Sequence, residues 1–446
     1  MKNLFSRTLL LFLSSFFVLN LYAGSYEARQ AGMSQERLQK IIDTFSEDVR
    51  QEKIPGFTSM IFRKGKVVQF EARGFADMEN RVPLRKDSLF RIYSMTKPIT
   101  GVALMILIED GKLRLEDPVE KYIPGFARTQ VYKEMKEGKM VLEPIKRSIT
   151  LRDLATHTSG LSYAINSPDP VSDLYREKKI FPYYMVDEQG NSTGTKSYDD
   201  ICALAEDLSA LPLKHQPGIA WTYSVGMDVL GCVIEVASGM TFNQFLKSRI
   251  FDPLSMDDTA FMVAKGKEDR HTNLYGYMPS INRILPGLAS TFPPGTQIGL
   301  LSHREADPYL MEPTVFDGGS GLISSTEDYM KFATMLLNKG RLGKVRILSR
   351  KSVELLSSNH LPSSITNAVD YPTGKGFGIT VGVTMDPSQA SEYGSKGNYY
   401  WGGAASTSFW VDNKEDLTAV FMTQVLAGPP NLGDRYRTLV YQAIDD

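Results

Sequence analysis

Apolar and polar positions along this chain fall into distinct local rhythms. Between Phe57 and Gly74, Met60, Ile61 and Phe62 lie on one side of Lys64, Gly65 and Lys66, and Val67, Val68 and Phe70 on the other. That arrangement predicts two strands joined as a hairpin. From about Ser94 to Asp110 the apolar positions Ile99, Val102, Leu104, Met105, Ile106 and Leu107 leave little polar surface. A mostly buried helix is expected there, stopped by Gly111.

The middle of the chain mixes helical segments with long polar stretches. Helices are expected over Leu151 to His157, Tyr198 to Leu208, Val225 to Ser238 and Asp328 to Leu337, the last with Ser325 and Asp328 placed as a capping pair. Ala164 to Lys196 and Tyr275 to Leu310 read as loops rich in Pro, Tyr and Phe. The carboxyl-terminal part returns to strand patterning at Gly376 to Val383, Ser406 to Asp412 and Leu417 to Val425, with a closing helix from Arg435 to Ile444. Strands at both ends and helices between them imply an α/β (α+β) chain in which one antiparallel sheet, flanked by helices, is assembled from both ends around an inserted all-helical domain. The expected division is residues 24–116 and 339–446 for the α/β domain and 117–338 for the mainly helical one, with a cleft at their junction.

Composition narrows the function classes. With 50 Lys and Arg against 51 Asp and Glu and a net charge of -1, no basic footprint for nucleic acid is present. Lys2 and Arg7 precede an apolar stretch from Thr8 to Leu21, followed by Ala23 and Gly24. Residues 1–23 therefore read as a secretory signal, and a periplasmic or secreted chain without stable membrane insertion after signal removal is expected. The only cysteines, Cys202 and Cys232, lie in partly apolar helical sequence. An exported chain permits a disulfide, yet two buried thiols are the favoured expectation. No metal constellation such as H-e-x-x-H occurs, and no cofactor is implied.

The chemistry begins at Ser94, Met95, Thr96 and Lys97, the only Ser-x-x-Lys in the chain. Residues three apart share a helical face, so the lysine amine can reach the serine hydroxyl, while the first helical turn directs free N–H groups and positive dipole at the same point. A lysine acts as a base only where its surroundings lower its affinity for a proton. Tyr223, in the stretch from Gly218 to Ser224 ahead of an apolar helix, offers a phenol as a proton relay. Trp401, Gly402, Gly403 and Ala404 precede an expected strand, where paired glycines let backbone approach a ligand and the Ala404 N–H can join that of Ser94 as an oxyanion donor. Taken singly, Tyr223 could be a packed aromatic and the Gly402–Gly403 pair a turn.

In this order the three motifs resemble those of the serine β-lactamase and penicillin-binding superfamily, on its class C side, and within it most nearly the family VIII carboxylesterases. His157 to Leu161, Gly318 to Leu322 and Trp401 to Asp412 extend the resemblance, which runs from about Ala31 to the carboxyl end. It implies a class C β-lactamase-like fold, an acyl-enzyme on Ser94, and Trp401, Gly402 and Gly403 against a small-molecule ester or amide. His157 is expected to be structural. The chain departs from the class C pattern at Val225, where an Asn is usual, and at Trp401, where a Lys is usual. Loss of that cation argues against substrates that arrive with a carboxylate. A β-lactamase, a D-alanyl-D-alanine carboxypeptidase or a non-catalytic sensor of the same fold are the competing readings.

Overall fold

In the computed structural model, which describes residues 27–180, 196–284, 289–369 and 371–446, strands from both ends of the chain meet in one eight-stranded sheet. They are β1 (Gly56–Arg63), β2 (Lys66–Asp77), β3 (Val82–Pro83), β4 (Lys375–Phe377), β5 (Gly382–Thr384), β6 (Tyr399–Gly403), β7 (Thr407–Asp412) and β8 (Leu417–Met422). The spatial order is β4-β5-β6-β7-β8-β1-β2-β3, antiparallel throughout. The expected hairpin is β1–β2, turned at Lys64 and Gly65, whose φ values of 48° and 78° suit a tight turn that follows strand twist. β8 then pairs with β1, from Met422 opposite Thr58 to Leu417 opposite Arg63, and so joins the two halves of the sheet.

Strand side chains alternate between faces, and two separate cores follow from that period. Phe57, Ile61, Trp410, Ala419 and Phe421 pack under α1 (Gln35–Arg50) and α5 (Leu432–Tyr441), against Leu38, Ile41, Phe45, Tyr436 and Val440. Met60, Phe409, Val411, Val420 and Met422 face the other way, onto α4 (Thr326–Leu337) with Tyr329, Phe332 and Ala333. Beyond α4 lies α2 (Thr96–Glu109), buried continuously from Thr96 to Leu107, as its all-round apolar pattern requires. α2 packs on α3 (Gly226–Ser238) in the same large core. Among the described residues no single helix is long and apolar enough to cross a membrane.

Several expectations need correction. The run Gly376 to Val383 is two strands, β4 and β5, because Thr380 adopts φ 65° and reverses the chain. Trp401 to Gly403 lie within β6 rather than in a turn ahead of a strand. The stretch Tyr275 to Leu310 contains helix Met278–Ile284 and strand Ile298–Ser302, which pairs with Leu274–Tyr277 to make a three-stranded sheet with Val425–Leu426. Each of these runs is too short for a periodic signal. Within Ala164 to Lys196, Pro170–Glu177 is a helix capped by Asp169, and residues 181–195 lie outside the described residues, as do residues 1–23, expected above as a secretory signal.

Cys202 and Cys232 are joined in a disulfide, not held as thiols. Their helices, Ile201–Ser209 and α3, pack so closely that a Cβ on Gly231 would stand 2.4 Å from Ile201 Cδ1. That approach brings the two cysteine Cα atoms to 4.8 Å. It is a tertiary contact, invisible to the local pattern around either residue.

Candidate active site

The chain enters the site by a sharp corner. Strand Leu89–Arg91 pairs with Ile323–Ser325, and the next residues, Tyr93–Met95, form a single 3₁₀ turn before α2. Tyr93 carries φ 43°, an uncommon value for a residue with a bulky side chain. The corner is locked from outside: Ile92 N–H donates to Leu322 O at 3.0 Å and Tyr329 Oη to Met95 O at 2.9 Å. Ser94 thus sits one turn ahead of the regular helix rather than at its first residue.

Lys97, in the first turn of α2, is fully buried. Its Nζ lies 3.1 Å from Ser94 Oγ and donates to Gly319 O at 2.7 Å. Tyr223 reaches the same oxygen, its Oη donating to Ser94 Oγ at 2.7 Å, and its ring lies 4.8 Å from Lys97 Nζ. The serine oxygen is therefore held between an amine and a phenol.

Tyr223 is set by the stretch that begins at His157. Thr222 N–H donates to His157 O at 2.8 Å, Ser224 N–H to His157 Nδ1 at 3.2 Å, and Asn166 Nδ2 to Tyr223 O at 2.9 Å. Because Nδ1 accepts an amide proton, the neutral ring carries its hydrogen on Nε2. Burial first, and then the neighbouring Lys97, lowers the His157 pKa well below the usual imidazole range. His157 is a buried neutral support for the tyrosine, as the sequence suggested.

On the third side, β6 runs past the Ile92–Ser94 corner. A Cβ at Gly403 would fall 2.3 Å from Ile92 O and 2.3 Å from Thr407 Oγ1, so only glycine lets the strand come this near. Ala404 follows in the turn closed by Ser406 N–H on Gly403 O at 3.0 Å. Gly403 is thus a packing requirement of the approach, whereas a Cβ on Gly402 would meet only Thr407 O, at 3.1 Å.

Trp401 joins an aromatic wall that the sequence did not reveal as a unit. Its ring is 6.0 Å from Tyr223 and 5.2 Å from Phe377; Trp221 is 5.7 Å from Phe377 and 6.0 Å from Tyr371. Leu361 and Ile365 pack against the same rings. These side chains carry no charge. Tyr275 and Tyr277, at the start of the stretch read as a loop rich in Pro, Tyr and Phe, do not join the wall. Tyr275 Oη donates to Glu79 at 2.6 Å, and Tyr277 packs against the core beneath α1 and α5. Tyr183 and Tyr184 lie outside the described residues.

With fold and site in view, the family is clear: residues 39–443 match the beta-lactamase family, and the chain belongs to it. It is 31% identical over 378 residues to an uncharacterized protein of Mycobacterium tuberculosis, a match covering 83% of this chain and 86% of the other. It is 28% identical over 392 residues to esterase EstB of Burkholderia gladioli, covering 86% of this chain and 91% of the esterase. Among solved structures, EstCE1, described as a hydrolase with promiscuous acyltransferase activity, superposes with a TM-score of 0.71 at 23% identity, over 91% of this chain and 99% of that one. The last similarity supports the fold, a large antiparallel sheet flanked by helices.

Proposed function

We propose that this chain is a serine hydrolase that cleaves carboxylic esters through an acyl-enzyme on Ser94. The observation that carries the reading is Ser94 Oγ lying 3.1 Å from Lys97 Nζ and 2.7 Å from Tyr223 Oη. The esterase named among its relatives agrees with it.

In this mechanism Lys97 and Tyr223 together take the proton of Ser94, whose Oγ bonds to the ester carbonyl carbon. The carbonyl oxygen becomes an oxyanion held by the N–H groups of Ser94 and Ala404. The intermediate collapses with cleavage of the C–O bond, and Tyr223 returns a proton to the departing alcohol. Water, deprotonated by the same pair, attacks the acyl carbon and releases the acid and Ser94. Trp401 stands where a substrate carboxylate would need a cation, and its neighbours are equally apolar. An unpaired carboxylate entering such a wall is expensive to desolvate, whereas a neutral ester is not.

The experiment is covalent labelling by a fluorophosphonate together with hydrolysis of p-nitrophenyl esters. Wild-type chain should label at Ser94 and turn over; Ser94→Ala should do neither. A Ser94→Ala variant that labels and hydrolyses at the parent rate would overturn the assignment.

A further inference from the structure

The carbonyl that receives Lys97 belongs to a turn with its own anchors. The peptide between Gly319 and Ser320 is bonded at both ends: its carbonyl accepts from Lys97 Nζ at 2.7 Å, and its N–H, on Ser320, donates to Asp317 Oδ1 at 2.9 Å. The preceding peptide is held in the same way. Gly318 O accepts from Thr100 Oγ1 at 2.6 Å, and Gly319 N–H lies 2.6 Å from Asp317 Oδ1 and 3.0 Å from Asp228 Oδ1. Asp228 and Asp317 are both buried, and among the described residues neither forms an ion pair with Lys or Arg.

Two carboxyl groups that converge on one N–H away from water do not both stay ionised. Burial first, and the Asp317 charge second, raise the Asp228 pKa well above the usual carboxylate range. Asp228 is thus the carboxyl that burial disfavours as an anion. The partner that collects the donors is Asp317, which accepts from both N–H groups and also from Ser320 Oγ at 2.5 Å, the surroundings that favour a carboxylate.

We propose that Asp317, with Asp228 beside it on the Gly319 N–H, is a positioning residue for Lys97 and acts through the Gly319–Ser320 peptide, with Thr100 as the second anchor of that turn. The inference rests on the reading of Lys97 as the base. An amine has two N–H bonds and one lone pair. With one N–H fixed on Gly319 O, the lone pair is left to face the Ser94 hydroxyl. When the proton passes from Ser94 Oγ to Nζ the amine becomes an ammonium, and a carbonyl whose own peptide N–H is bonded to a carboxylate is a stronger acceptor for it. The buried charge thereby favours the proton transfer while lying outside contact with the reacting atoms.

The test compares Asp317→Asn, Asp228→Asn, Thr100→Val and Thr100→Ser with the wild-type enzyme in melting temperature, kcat, KM and pH profile. Asp228→Asn keeps a donor toward Asp317 and should hold kcat within about threefold. Asp317→Asn keeps the shape and loses the charge; kcat should fall roughly 10- to 100-fold with KM unchanged, and the acid limb of the profile should move to lower pH as the lysine becomes a weaker base. Folded Asp317→Asn with wild-type kcat and profile overturns the inference. If that variant does not fold, the Thr100 pair decides: Thr100→Val should lower kcat and not KM, and Thr100→Ser should restore it, whereas wild-type behaviour of Thr100→Val overturns the inference. Labelling separates the two readings. Wild-type chain that fails to label at Ser94 removes both, and unchanged labelling by folded Asp317→Asn removes this one alone.

Discussion

Tyr223 Oη reaches Ser94 Oγ at 2.7 Å across 129 positions of sequence. Lys97 reaches the same oxygen from three residues away, at 3.1 Å. One contact is local and the other wholly tertiary, yet both converge on a single oxygen. Lys97→Ala and Tyr223→Phe should each slow the chemical step by roughly 10² to 10⁴ with the fold retained. The double variant should lose little more than the worse single one, as expected of groups acting as a unit. Near-additive losses in a kinetic double-mutant cycle would show that they serve separate steps.

Substrate class is tested by a panel of p-nitrophenyl esters of increasing acyl length, a chromogenic cephalosporin and a D-alanyl peptide. The wall of Trp401, Phe377, Trp221 and Tyr371 should favour uncharged esters of short to medium chain. The ester reading fails if the cephalosporin has a higher kcat/KM than every ester.

A buried cluster of Arg91, His271 and Asp307 lies behind the Ser94 corner, all three less than 3% exposed. Burial, and then the Arg91 charge, lower the His271 pKa to about 4. Burial alone would raise the Asp307 carboxyl, but Arg91 and His271 hold it well below the usual range. His271 is therefore neutral in the fold and binds its proton more readily when unfolded. Its contribution to stability is complete above pH ~6.5 and is lost as pH falls toward ~4, up to roughly 3 kcal/mol. Urea titrations between those limits should show a shallower pH slope for His271→Asn than for wild type. Equal slopes would place the acid sensitivity elsewhere.

The Cys202–Cys232 bridge closes a loop of 30 positions between two helices, one of which begins just after Tyr223. By loop closure it should contribute about 3 to 4 kcal/mol, and Cys202→Ser with Cys232→Ser should show that loss in denaturant titration. Such a bridge persists in an oxidising compartment, which fits our proposal that the chain is exported and cleaved after about Ala23. Fractionation should find a soluble chain outside the cytoplasm lacking its first residues; an intact amino terminus held in the membrane would sink the export proposal.

Legibility in the sequence followed the range of the contact. Ser94 and Lys97 were readable because helical spacing alone makes them neighbours. The sheet halves were readable because β1, β2, β7 and β8 alternate or run apolar over six to twelve residues. α1 was not anticipated, although Ser34 caps it and Leu38, Ile41, Ile42 and Phe45 fall at helical spacing. Phe377 and Tyr371 carry no local mark; they become part of a site only when β4 is laid beside β5 and β6. The disulfide depended on Gly231 permitting a close helix pair, a fact of packing rather than pattern.

The joining of β8 to β1 also sets when activity can first exist. While the chain is being synthesised, β1 has only β2 as a partner until Leu417–Met422 has emerged, and Ser94 lacks β6 as a neighbour until Tyr399–Gly403 has done so. Most of the molecule is thus made before Ser94 meets its third wall, and folding is dominated by late, long-range pairing. Fragments released before Tyr399 should leave the fluorophosphonate unreacted. The ribosome would accordingly carry a silent enzyme, one unable to attack esters around it until nearly the whole polypeptide is free.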